Sequence, residues 1–174
     1  YKTKEKLRKL PKRIGRTRVF NNKELALIMN SHPNTDLQDF FNFAYYTGAR
    51  RGEICNLKAY QIHPTYIEVK GKSDKRIIKL NSQARHILFS REKLWGYKGD
   101  FVSKKFKAYL RQLNIKDAQF HDLRRTFGFN LIKKGLPIYT VSKLLGHSSI
   151  NITESHYAPL LVSDIEEFKL PIGN

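Results

Sequence analysis

The sequence predicts an α+β domain, mostly α-helical, with one small three-stranded antiparallel sheet. Two observations carry this. Apolar residues recur at helical spacing on both sides of a central stretch, and capping signals open or close most of these runs. Between residues 60 and 80 the period changes to that of short strands. With 174 residues, 40% of them hydrophobic, the chain can bury one real core and is too apolar to be disordered.

The elements follow in order. Residues 1–19 are dense in Lys and Arg and are broken by Pro11 and Gly15, which reads as an extended basic arm or linker. Asn21 with Glu24, and Thr35 with Gln38, are spaced as capping boxes ahead of apolar stretches. The second stretch, 37–46, is rich in Phe and Tyr and stops at Gly48. A short helix over 50–57 comes next. Runs at 60–62, 66–69 and 76–80 read as the three strands, with Gly71-Lys72-Ser73-Asp74 as the hairpin turn between the last two. Helical patterns return over 81–94 and 103–113, then from His121 to a stop at Gly135 after Lys133-Lys134. Pro137 opens a helix that ends at Gly146. Asn151 and Glu154 are spaced to cap the helix carrying Tyr157, and Ser163 with Glu166 suggests a last short helix before the tail 169–174.

Charge gives the first functional clue. Thirty-three Lys and Arg against 15 Asp and Glu leave a net charge of +18 and a pI near 10.1. Such a field attracts a polyanion, and nucleic acid is the commonest one inside cells. A solubilising basic surface or an anionic membrane would also account for charge alone. No strongly amphipathic basic helix stands out, however, and no apolar run approaches the roughly 20 residues that span a bilayer. The expectation is a cytoplasmic, nucleic-acid-associated protein with no membrane segment. The single cysteine, Cys55, lies in the apolar pattern Ile54-Cys55-Asn56-Leu57 and reads as a small buried hydrophobe, not a nucleophile.

Four clusters carry the chemistry. Thr47-Gly48-Ala49-Arg50-Arg51-Gly52-Glu53 matches T-G-x-R-x-x-E. His121-Asp122-Leu123-Arg124-Arg125-Thr126 matches H-x-L-R-[HR]-T. Leu144-Leu145-Gly146-His147-Ser148-Ser149 matches L-L-G-H-x-S, and Thr153-Glu154-Ser155-His156-Tyr157-Ala158 follows. In order and spacing, from about Val19 to Ala158, these segments resemble the boxes of the tyrosine recombinases of phage-integrase type. Gly71-Lys72 lies where that family keeps its hairpin lysine. Any one box would be a weak signal; together in register they are a strong one.

The residue types suit the reaction that the resemblance implies: cleavage and rejoining of DNA through a covalent 3′-phosphotyrosine, with no cofactor and no metal. A phosphodiester is a poor, charged electrophile whose transition state gathers negative charge on its nonbridging oxygens. Two arginines, Arg50 and Arg124, can fork onto those oxygens through charge-assisted bonds. A free tyrosine has a pKa of about 10, so forming the phenolate at pH 7 costs roughly 4 kcal/mol and needs a base and a cationic setting. His121 and Arg124 are three apart, so one helix face can present both to one phosphate. The resemblance makes Tyr157 the nucleophile and gives His121 general acid–base help. It makes His147 a hydrogen-bond donor to phosphate and Lys72 the acid for the leaving 5′ oxygen. Glu53 is read as a residue that orients the Arg50 region. Lys70 and Lys75 flank Lys72, and Ser73 and Lys79 replace a glycine and a proline usual in the family.

Arg50 and Glu53 could form a plain i,i+3 pair. Arg125 reads as a packing or phosphate contact, Asp122 as structural, and His156 as non-catalytic. Tyr45, Tyr46, Tyr60 and Tyr139 read as core or interface residues. A non-catalytic DNA-binding module would explain the charge but not the six site residues together. A metal-dependent nuclease could recruit His121, Asp122, His147 and His156, yet no HExxH, paired-Cys or Asp-rich spacing occurs. A type IB topoisomerase shares the chemistry and is the nearest alternative. The resemblance further implies residues 20–174 as the catalytic domain, with the family's N-terminal core-binding domain absent from this sequence. It implies double-stranded DNA as partner, a homo-tetramer on DNA at full length, and no small-molecule substrate.

Overall fold

The computed structural model describes residues 17–70, 75–163 and 169–171. Helices α1 (Asn22–Asn30), α2 (Thr35–Thr47) and α3 (Arg51–Cys55) lead through a 3-10 turn (Ala59–Gln61) into strands β1 (Tyr66–Lys70) and β2 (Lys75–Lys79). Helices α4 (Ser82–Phe89), α5 (Gly99–Gln112), α6 (Asp122–Lys133), α7 (Ile138–Leu145) and α8 (Ile150–Ser163) complete the order. No described helix is long and apolar enough to cross a membrane.

Local chemistry sets most boundaries. Asn21 and Glu24 form the expected capping box on α1. On α2 the cap is Asn34, whose side chain accepts from Leu37 N at 3.0 Å, so Thr35 begins the helix and does not cap it. Gln38, the other half of the expected box, instead accepts from His32 N at 2.9 Å. Helix α4 stops at Phe89, short of Leu94. Arg91 is drawn away to pair with Asp36 and Asp39 and lies over the Trp95 ring at 4.4 Å, which pins this stretch to the start of α2. Helix α5 starts four residues before Ser103.

The sheet is two-stranded, not three-stranded. β1 and β2 pair antiparallel from Tyr66↔Lys79 to Lys70↔Lys75. The expected strand at 60–62 is mostly the 3-10 turn, closed by Lys58 N donating to Gln61 Oε1 at 2.8 Å. Only Ile62 makes a bridge, to Ile67, and Pro64, which lacks an N–H, gives the ladder no room to extend.

Two apolar clusters result. The larger packs Phe20, Ile28, Phe40, Phe41, Phe106 and Leu123, among others, between α1, α2, the sheet and α4–α6. Aromatic edges dominate it: Phe41 meets Phe106 at 4.9 Å and Phe40 meets Trp95 at 5.4 Å. The smaller cluster joins α6, α7 and α8 through Phe129, Val141, Leu145 and Tyr157. Most of the expected basic arm, and the last short helix beyond Ser163, lie outside the described residues. Arg18 and Val19, at the arm's end, are docked: Arg18 pairs with Glu24 at 2.6 Å, and Val19 packs on the smaller cluster.

Candidate active site

The first box folds as a helix stop followed at once by a helix start. Thr47 Oγ1 donates to Phe43 O at 2.7 Å and accepts from Ala49 N. Gly48 turns the chain at φ 65° as the cap of α2, a left-handed conformation in which a Cβ would also collide with Phe127. Arg50 thereby lands at the N-cap of α3, with its backbone N–H donating to Glu53 Oε1 at 2.7 Å. Its side chain remains about one-third exposed, with Nη1 3.7 Å from Glu53 Oε2.

Glu53 is buried and accepts from the Arg50 backbone N–H, but its main partner is a residue the sequence did not single out. Arg76, on β2, donates to it twice, Nε to Oε2 at 2.5 Å and Nη2 to Oε1 at 2.9 Å. Burial works against the carboxylate, yet the hydrogen bonds and charge of Arg76, with those of Arg50, hold its pKa below the usual range. The signal was present in the strand pattern. Residues 76, 78 and 80 share one face of the strand, and Ile78 and Leu80 are core residues, so a cation at 76 points toward the interior.

The second box opens α6. Arg124 is buried and reaches both ways, Nη1 donating to Gly48 O at 2.7 Å and Nη2 to Leu145 O at 2.6 Å. Burial, then the charges of Arg50 and Arg76, lower its pKa to about 9, against the pull of Glu53 and Tyr157; it is still a cation at neutral pH. His121 lies on the exposed surface one turn earlier. Crowding on its inner side, with Arg124, Arg125 and Arg50 nearby, lowers its pKa and keeps the ring neutral. Arg125 lies 3.4 Å from Asp122, and Asp122, fully buried, accepts from Gln119 N at 2.8 Å. Both are structural contacts within the helix's first turn.

The third box ends α7. Gly146 takes φ 70° and releases His147 beside the arginines. His147 Nδ1 lies 2.6 Å from Thr153 Oγ1 on α8, a partner the sequence did not suggest. Burial, then Arg124, His156, Arg50 and Arg76, push its pKa down to about 4. In the tautomer whose Nδ1 accepts from the Thr153 hydroxyl, the ring hydrogen is on Nε2. His156 stands edge-on to His147, ring centroids 5.5 Å apart.

Helix α8 begins at Ile150, with Asn151 N donating to Ser149 Oγ at 3.1 Å; Ser149 thus does what was expected of Asn151. Tyr157, on this helix, is only 2% exposed. It belongs to the smaller core cluster, and its hydroxyl lies against Gly128 of α6. Burial pushes its pKa up to about 12, against the opposing fields of Arg124 and Arg125.

Arg50, His121, Arg124, His147 and Tyr157 therefore share one electrostatic neighbourhood. Lys72 lies outside the described residues, in the four-residue connection between β1 and β2. A cleft of about 770 Å³ opens beside Arg50 and His121 and is edged by Arg51, Ser103 and Lys107. Tyr45 and Tyr46 pack on the main core, whereas Tyr60 and Tyr139 are exposed, so a core role fails for those two. Among the described residues, no three His, Cys, Asp or Glu side chains are grouped to hold a metal ion.

The model of the phage integrase family matches residues 18–163. A tyrosine recombinase of Thermosipho africanus is 30% identical over 142 residues, which covers 71% of this chain and 49% of that protein. An integrase of Salmonella phage P22 is 29% identical over 157 residues, covering 71% and 40%. Among solved structures, XerA recombinase is similar at TM-score 0.69 and 18% identity, over 87% of this chain and 66% of that one. The catalytic domain of bacteriophage HP1 integrase is similar at TM-score 0.68 and 18% identity, over 82% and 88%. These two likenesses show the fold. The chain spans about half the length of the curated relatives it matches. With the family match running from Arg18 through the Tyr157 helix, the chain belongs to the phage integrase family, as a tyrosine recombinase catalytic domain.

Proposed function

We propose that this chain supplies the catalytic centre of a site-specific DNA recombinase or integrase. Its substrate is double-stranded DNA. The observation that carries the reading is that Arg50, Arg124, His121 and His147 share one electrostatic neighbourhood, with Tyr157 within the field of Arg124.

The chemistry divides among these groups. The phenol oxygen of Tyr157 attacks the scissile phosphorus, forming the 3′-phosphotyrosine, while the bond to the 5′ oxygen breaks. The phenol's proton passes to His121, whose neutral ring gains basicity when the negative phosphate enters beside Arg50 and Arg124. Arg50 and Arg124 hold the nonbridging oxygens, and His147 adds a hydrogen bond through Nε2–H. Lys72 protonates the departing 5′ oxygen. Rejoining runs the same steps backwards, with a 5′ hydroxyl as nucleophile. The +18 charge and the cleft beside Arg51 and Lys107 suit the flanking backbone phosphates.

With its pKa near 12, the Tyr157 phenolate at pH 7 lies about 7 kcal/mol uphill, so α8 must bring the phenol out toward the arginines. Strand exchange by the full-length protein within a homo-tetramer on DNA is part of the proposal. In this reading the tail residues Ile165, Phe168 and Leu170 pack either on this domain's own surface or on the next protomer's; Ile165 and Phe168 lie outside the described residues, and Leu170 is 78% exposed.

The test uses a pool of nicked duplexes randomised around the nick, assayed for a covalent protein–DNA band. The expected result is an adduct that forms in EDTA and is lost in Tyr157→Phe. Sensitivity to EDTA would favour a metal-dependent nuclease, and persistence of the adduct in Tyr157→Phe would move the nucleophile elsewhere. Relaxation of supercoiled plasmid without strand exchange would favour the topoisomerase reading.

A further inference from the structure

We infer that Arg76 is a positioning residue that keeps Arg50 available to phosphate by occupying the Glu53 carboxylate. The inference rests on the proposed role of Arg50 as one arm of the phosphate clamp. Glu53 lies within reach of both arginines. Arg76 holds its two oxygens at 2.5 and 2.9 Å, whereas Arg50 Nη1 stands off at 3.7 Å, beyond a hydrogen bond. Arg50 hydrogen-bonds Glu53 only through its backbone N–H, its guanidinium making no more than the longer ion pair. Its guanidinium therefore keeps an exposed face toward the cleft while the turn beneath it is fixed.

The position of Arg76 suits this role. Its side chain is 11% exposed, and its third contact, Nη1 to Leu144 O at 3.3 Å, reaches the end of α7 just before His147. A Cβ on Gly146 would come within 2.8 Å of this guanidinium, so the glycine leaves the space that Arg76 fills. One side chain thus spans the Arg50 turn and the His147 turn. It does so from β2, whose first residue, Lys75, adjoins the connection that carries Lys72.

Removing the charge at 76 would leave a buried carboxylate beside Arg50. Arg50 is the nearest cation and would close its 3.7 Å gap to hydrogen-bonding distance, turning its guanidinium from phosphate to the carboxylate. Two properties then separate positioning from a merely structural salt bridge. Loss of Arg76 should disable Arg50, and removal of the competing carboxylate should restore it.

Arg76→Gln keeps a donor and most of the volume, so the fold is expected to survive, which a melting curve checks. Adduct formation on the nicked pool at saturating protein should slow by on the order of 100-fold with duplex affinity little changed. The double variant Arg76→Gln/Glu53→Gln should recover about 10-fold or more of that loss, since the two changes are coupled. A structural bridge would instead leave the double variant as slow as the single one or slower. Independently of any cleavage, the arginine Nε–H signals in nitrogen-15 spectra should show Arg50 solvent-exchanging in the parent and protected in Arg76→Gln. If Arg50 stays unprotected in Arg76→Gln, or Glu53→Gln gives no recovery, the inference is overturned. If the parent forms no adduct, the proposed function fails, and the Arg50 signal still decides the inference.

Discussion

The hydroxyl of Tyr157 rests against the backbone of Gly128 on α6, in space that any Cβ at position 128 would occupy. The glycine is helical and its φ is unexceptional, so its conformational freedom is not in use. What it contributes is a notch in the helix surface into which the phenol fits. Helices α6 and α8 are thereby held together by the residue that the proposed reaction would move.

Gly128→Ala should close that notch. Overpacking of this kind costs about 1–3 kcal/mol, offset in part by alanine's better helix propensity. The phenol should be displaced toward solvent, so nitration by tetranitromethane should label Tyr157 faster than in the parent. Unchanged labelling with unchanged melting would mean that α6 shifts and the notch is not what holds Tyr157.

Stability should fall at both pH extremes, for opposite reasons. Tyr157 is raised from about 10 to about 12 by burial, so its stabilisation is complete below pH 10 and is lost as pH rises to 12, a change on the order of 2 kcal/mol. Tyr46, Tyr97 and Tyr109 are also raised by burial, so Tyr157→Phe should flatten the alkaline limb only in part. His147 is lowered to about 4, first by burial and then by Arg124. Its stabilisation is complete above pH 6.5 and lost as pH falls through 4, with His121 acting in the same direction. Urea midpoints measured from pH 7.5 to 4 should decline less steeply in His147→Gln.

Much of this arrangement was legible in sequence, because it rests on local chemistry. Gly48 and Gly146 end their helices, Asn21 and Glu24 cap theirs, and the boxes fix the order of Arg50, His121, Arg124, His147 and Tyr157. Three-residue alternation at 60–62 could not be told from a 3-10 turn, whose deciding contact is Lys58 to Gln61. Arg76 and Gly128 were missed for a different reason. Their partners, Glu53 and Tyr157, lie 23 and about 30 residues away, and no local pattern names a partner at that distance. The burial of Tyr157 was equally hidden, since a nucleophile expected near DNA gives no sign in sequence that it rests inside a core.

Arg124→Lys should be far from conservative. The guanidinium donates to Gly48 O at 2.7 Å and to Leu145 O at 2.6 Å on opposite sides, and a single ammonium on a shorter reach cannot serve both. One buried carbonyl is left without its donor, costing about 1–3 kcal/mol. Denaturant unfolding should register that loss. Adduct formation should drop on the order of 100-fold even where the variant is fully folded. A folded variant with near-parental cleavage would remove Arg124 from the phosphate clamp.

The choice among the hairpin lysines can also be tested. Lys70 and Lys75 are the last register pair of the ladder, and Lys75 Nζ already lies 3.7 Å from Glu68 on the neighbouring strand. Lys72 lies in sequence between the last residue of β1 and the first of β2. A 5′ alkoxide is a poor leaving group and needs a proton, whereas a thiolate leaves without one. Lys72→Ala should therefore slow adduct formation strongly on an ordinary strand, by about 100-fold or more, and only slightly on a strand with sulfur at the bridging 5′ position. Lys70→Ala and Lys75→Ala should slow both substrates alike and modestly, through weaker attraction to the backbone. Equal losses on oxygen and sulfur substrates in Lys72→Ala would make that lysine a phosphate contact, and a sulfur-specific rescue in either neighbour would transfer the acid's role to it.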